Sequence, residues 1–216
     1  MLYLRLNFFK VGTYSELKED KAGLIISAAQ KLFGLYGAEK TSMREIAEGL
    51  HMSKASLYYY FPDKENLYKA VIEKEQAEFL ETLEKNIIDN SDPAECLRHY
   101  ALNRLSYFKY LVNLGRVSPE SISDFKPLIA DSFRNFREKE KKLVMQILEK
   151  GENNGQFKTR DAYETASLFL DILRGLRSVF FNNKKLVSIN DEEYKELSCR
   201  VEAATDIFIK GLMYKE

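Results

Sequence analysis

The chain has 216 residues, enough to bury a sizeable core in one large domain or two small ones. Lysine plus arginine and aspartate plus glutamate each number 33, so the formal net charge is zero. That excludes a globally basic nucleic-acid binder, and any such surface must be local. No run approaches the roughly 18 apolar residues of a membrane span. With only 10 Gly and 4 Pro among abundant Leu, Ile, Glu and Lys, the composition predicts an all-α fold. Cys96 and Cys199 fit no metal or redox spacing and read as reduced thiols of a cytoplasmic protein.

The first stretch, "MLYLRLNFFKVGTYSEL", is apolar, but Arg5 interrupts it and no small-residue cleavage site follows. Residues 1–18 read either as an extension outside the helical plan or as an arm packing on the fold. From Glu19, the residues Ala22, Ile25, Ile26, Ala29, Leu32, Phe33 and Tyr36 recur at spacings of three and four. That is the apolar stripe of a first helix, which Gly37 ends.

Ser42-Met43-Arg44-Glu45 is a capping box opening a short second helix, with Ile46, Ala47 and Leu50 on its inner face. His51-Met52-Ser53 makes the turn, and Ser53 caps a third helix running from Lys54 to about Tyr60. Two short helices on a three-residue turn, packed on a longer first helix, read as a helix-turn-helix. Leu57, Tyr60 and Phe61 share the core side, so Lys54, Ala55, Tyr58 and Tyr59 project outward, with Ser56 at the edge. Small residues allow close approach to base edges, and tyrosine hydroxyls suit phosphate oxygens.

Residues 20–67, with "LFGLYGAEKTSMREIA" and "SKASLYYYFPDKENL", resemble the DNA-binding domain of the tetracycline-repressor (TetR) family. The resemblance covers about a quarter of the chain. It implies base-facing roles for Lys54, Ala55 and Ser56 and phosphate contacts for Tyr58 and Tyr59. Arg44 and Lys64, together with the cap residue Ser42, fall where the family grips the flanking backbone. Helix N-termini beside a cation support the Arg44 and Lys64 assignments independently. Between Lys40 and Lys64 there are four basic and three acidic residues, so the surface is only weakly basic. His51 stands where the family usually has glycine, and histidine tolerates positive φ.

A fourth helix is predicted from Asp63 to about Ile88, and a fifth from Pro93 to about Gly115. A short or kinked segment follows, then a helix ending near Gly151 to Gly155. "RNFREKEKK" reads as a solvated helix face. The last two helices are expected near 161–182 and 191–213. The first of them is apolar around most of its circumference and must be covered on two sides. With the family resemblance, that implies a homodimer through both helices.

The resulting division is 1–18 extension, 19–67 DNA-binding domain and 68–216 effector-binding and dimerisation domain. Tyr100, Asn103, Arg104, Tyr107, Phe108, Phe133, Phe136 and Arg174 are candidates for a pocket, although an aromatic stripe is also ordinary core. Only His51 and His99 are present, with no nucleophile elbow, phosphate loop or metal-ligand cluster, so neither an enzyme, a cofactor nor a metal is expected. The expected function is a dimeric transcriptional repressor, released from a palindromic DNA operator by a small-molecule effector. The alternative is a helix-turn-helix protein without an effector, acting architecturally.

Overall fold

The computed structural model describes residues 14–89, 92–113, 119–181 and 188–213. The expectation for residues 1–13 lies outside the described residues. Among the described residues there are eight helices: α1 (Tyr14–Tyr36), α2 (Met43–Gly49), α3 (Lys54–Tyr60), α4 (Lys64–Asp89), α5 (Pro93–Asn113), α6 (Pro119–Asn153), α7 (Ala162–Phe181) and α8 (Asp191–Leu212). The all-α expectation holds, and α1 begins at Tyr14, ahead of the Glu19 start read from the periodicity.

Side-chain caps fix where these helices begin. The Glu45 amide donates to Ser42 Oγ at 3.2 Å, while the Ser42 amide donates to Glu45 Oε2 at 2.7 Å. The same reciprocal box, Asn190 with Glu193, opens α8. Asp63 accepts the Asn66 amide at 2.7 Å, and Asp161 accepts that of Glu164 at 3.0 Å, at the starts of α4 and α7. Each such cap is worth about 1 kcal/mol. Gly37 stops α1 with φ +83°, a conformation cheap only without a Cβ.

Two apolar cores organise the packing. The first gathers Ile25, Ala29 and Phe33 of α1, Ile46 of α2, Leu57 of α3, and Leu67, Tyr68, Val71 and Ile72 of α4. The second is built on Leu80, Leu97, Tyr100, Phe136, Val144, Ile147, Phe169 and Leu197 from α4 to α8. Ile129 of α6 belongs to the first core, although most of α6 serves the second. Replacing fully buried Leu57 by Ala should cost about 2–5 kcal/mol and loosen the helix-turn-helix.

One expectation is corrected. Where the proline pattern predicts a short or kinked segment before the helix ending near Gly151, the chain forms one 35-residue helix, α6, that runs through Pro127. An interior proline costs about 3 kcal/mol locally. Burial of Ile129, Phe136, Leu143, Val144, Ile147 and Leu148 on the same helix outweighs it. The charged run inside α6 is also less uniform than expected. Glu140, four residues after buried Phe136, is itself buried on the apolar stripe.

After α6 the chain turns back tightly. The Gln156 and Phe157 amides both donate to the Gly151 carbonyl at 2.9 Å. Phe157 then pairs antiparallel with Met213, and the Lys158 amide donates to the Leu212 carbonyl at 2.8 Å. This latch ties the end of α8 to the end of α6.

Candidate nucleic-acid interface and effector cavity

The helix-turn-helix presents its expected face. Leu57 is buried, Tyr60 and Phe61 are half-buried, and Lys54, Ala55, Ser56, Tyr58 and Tyr59 are exposed. Lys54 Nζ lies 5.6 Å over the Tyr58 ring, and Tyr59 meets the edge of Tyr60 at 5.3 Å. The exposed side of α3 carries no carboxylate, so its field is set by Lys54 and the phenols. Ser56 is partly committed to structure: its amide donates to Ser53 Oγ at 3.0 Å, and the two hydroxyls are 2.8 Å apart. His51 in the turn has φ +52°, the left-handed conformation expected where glycine is absent.

The flanking groups are already engaged within the chain. Arg44 Nε donates to Glu48 Oε1 at 2.7 Å, and that bond raises the arginine pKa. The Ser42 hydroxyl belongs to the capping box, which holds the Glu45 carboxyl below its usual range. Lys64 Nζ reaches the Glu39 carbonyl at 3.3 Å, bridging the start of α4 to the loop after α1.

The body holds a cavity between α5, α6 and α7 in two adjoining chambers of about 410 and about 120 Å³. Of the predicted pocket residues, Arg104, Phe108, Phe133, Phe136 and Arg174 line it. Tyr100, Asn103 and Tyr107 do not. Asn103 and Tyr107 share a face of α5 one step round from Arg104, Phe108 and Leu111, and Tyr107 stacks on Phe79 of α4 at 4.3 Å. Tyr100 is fully buried and donates its hydroxyl to Glu140 Oε1 at 2.9 Å. Burial, then the Glu140 charge, pushes its pKa well up.

Arg104 forms an ion pair with the same carboxylate and lies 5.3 Å from the centre of the Phe136 ring. The sequence reading missed Glu140, Arg137 and Arg177 on this wall. Arg177 had a signal: at three residues from Arg174 it shares that residue's helical face. Glu140 was hidden by the charged residues around it.

The outer sides of α7 and α8 are apolar and uncovered. Leu168, Val179 and Ile207 are 57%, 69% and 72% exposed. Among the described residues, a Cβ built at Gly175 or Gly211, on the same faces, would meet no atom within 4 Å beyond its own helix backbone. Among the described residues no helix is long and apolar enough to cross a membrane.

A capped helix-turn-helix with a small, lysine- and tyrosine-bearing outer face defines a DNA-binding protein. Residues 25–71 match the family model described as bacterial regulatory proteins, tetR family. A transcriptional regulator from Cytophaga hutchinsonii ATCC 33406, known from its crystal structure, is 37% identical. The match covers 90% of this chain and 99% of that one, with a TM-score of 0.80. The probable HTH-type transcriptional regulator YttP of Bacillus subtilis strain 168 is 28% identical over 66% of this chain and 70% of its own length. The HTH-type transcriptional regulator RutR of Escherichia coli K12 is 43% identical, over 28% of this chain and 29% of its own length. The chain belongs to the tetR family of bacterial regulatory proteins and is a transcriptional regulator with a helix-turn-helix DNA-binding domain.

Proposed function

We propose that the protein is a dimeric repressor, released from a near-palindromic operator when a small molecule enters the cavity between α5, α6 and α7. The observation that carries this reading is a shared wall. Ile129 and Phe133 line the larger chamber and also pack into the core that supports the helix-turn-helix. Ser132, between them, donates to Glu73 of α4 at 2.6 Å. An occupant that displaces this stretch of α6 therefore pushes on α4, whose first turn carries Lys64. The division at 67/68 is kept as the functional one, residues 19–67 reading DNA and 68–216 binding effector and partner. The first core nonetheless reaches into the second part through Tyr68, Val71, Ile72 and Ile129.

The uncovered faces of α7 and α8 pair with those of a second copy, and the bare positions at Gly175 and Gly211 let the helices approach closely. Two recognition helices then enter successive major grooves about 34–36 Å apart. Lys54, Ala55 and Ser56 read bases. Tyr58, Tyr59, Arg44, Lys64 and Ser42 hold the backbone. DNA fixes the spacing of the recognition helices, so a ligand that prefers another spacing weakens binding. A hundredfold loss needs a coupling of about 2.7 kcal/mol, within the range of known allostery.

The test selects bound sites from random DNA and measures affinity for the best site. The expected site has two half-sites in inverted order. Lys54→Ala relaxes preference at one base position, worth about 1–3 kcal/mol. Lys64→Ala weakens all sequences alike and lowers the salt slope by about one per subunit. A site with a single half-site, bound tightly by a monomer, overturns the reading.

A further inference from the structure

The cavity wall carries more positive charge than the fold neutralises. Arg104, Arg137, Lys141, Arg174 and Arg177 line its chambers, against the carboxylates Glu138 and Glu140. Glu140 is taken by Arg104, and Glu138 lies 3.4 Å from Lys141. Arg174 is held by Asp171, one turn back on α7. Arg177 is left over. Among the described residues its guanidinium has neither an ion pair nor a hydrogen bond, and it lies 4.2 Å over the Phe108 ring. Arg137 of α6 likewise has no charged partner among the described residues.

Arg177 is half-buried, and a guanidinium that loses part of its water shell without gaining a hydrogen-bond acceptor sits at a cost. Burial, and then the neighbouring Arg104, lowers the Arg177 pKa to about 10, so it stays a cation at neutral pH. Such a group is worth keeping where an anion arrives to meet it. The larger chamber says what else that anion carries. Leu111, Ile129 and Phe133 make its wall apolar, and 410 Å³ holds roughly a dozen heavy atoms at about 30 Å³ each.

We propose that the cavity binds an amphipathic anion, with a carboxylate-like head on Arg177 and Arg137 and an apolar body against Ile129 and Phe133. This rests on the cavity being the effector site and adds the chemical class of the effector. It also links charge to response, since the head anchors the molecule while the body presses on the stretch of α6 shared with the DNA-binding core.

The experiment titrates the full chain with three probes of equal tail, decanoate, 1-decanol and decylamine, by calorimetry at neutral pH. Operator release is followed in parallel by fluorescence anisotropy. Decanoate should bind at least about tenfold more tightly than the other two. Arg177→Met should remove about tenfold from decanoate while decanol changes less than about twofold, and Arg177→Lys should restore part of the loss. Should Arg177→Met fail to fold, Arg137→Met, at an exposed position, carries the test with a smaller loss of decanoate affinity. Equal binding of all three probes, indifference of decanoate to both substitutions, or no binding at millimolar concentration each overturns the proposal. The parallel readout keeps the two readings apart. Release by decanol as readily as by decanoate leaves an effector site but not an anion site. Tight, Arg177-dependent decanoate binding without release leaves an anion site but not an effector.

Discussion

At the scale of single residues, Glu48 holds Arg44, the group proposed to grip the DNA backbone. Its bond to Arg44 is exposed and exchangeable, so a phosphate competes for the same guanidinium. Glu48→Gln should raise affinity for all DNA sequences by about two- to fivefold, measured by anisotropy at fixed salt, because it frees Arg44 and removes a negative charge. His51 is a second such position. With φ +52°, it bears the steric penalty of a left-handed residue with a Cβ. His51→Gly should stabilise the chain by up to about 1 kcal/mol in urea unfolding, and His51→Val should cost about 1–2 kcal/mol. Tyr58 and Tyr59 were legible as outward-facing because Leu57 and Phe61 fix the phase of so short a helix. Arg177 was legible only in part: its three-residue spacing from Arg174 gives the shared face, but nothing local separates a cation facing a cavity from one facing solvent. Only the packing of α5 and α6 against α7 decides that.

At the scale of elements, the close approach of Gly151 and Phe157 decides whether the latch behind α6 closes. A Cβ at Gly151 would sit 2.1 Å from Phe157 Cδ2, and that ring is buried. Gly151→Ala should therefore cost about 1–3 kcal/mol in thermal or denaturant unfolding. Substitution at Gly155, whose Cβ would meet nothing but whose φ is +75°, should cost about 1–2 kcal/mol through backbone strain alone. The starts of α2 and α3 were readable because Ser42 and Ser53 cap them locally. The unity of α6 was not. Pro127 is a local signal for a break, whereas the burial that overrides it comes from α4, α5 and α7, remote in sequence. The Phe157–Met213 pairing was invisible for the same reason, since it joins two segments that only the fold brings together.

At the scale of the whole molecule, the uncovered faces of α7 and α8 are the proposed dimer surface. Val179→Asp with Ile207→Asp should leave a folded chain that light scattering at micromolar concentration finds monomeric, with operator affinity lower by orders of magnitude. A dimer that survives both changes would place the contact elsewhere. The two cores have a different consequence, for how the molecule comes apart. Helix α4 lends Leu67, Tyr68, Val71 and Ile72 to one core and Leu80 and Leu83 to the other, and α6 does the same with Ile129 and Phe136. Neither helix can fray at the junction without exposing apolar side chains on both sides of it. The reading head and the body should then melt as a single cooperative unit, with the calorimetric enthalpy equal to the van't Hoff enthalpy for each folded chain. A heat-stressed cell would hold either intact regulators or none, with no population of bodies still able to pair but unable to grip DNA.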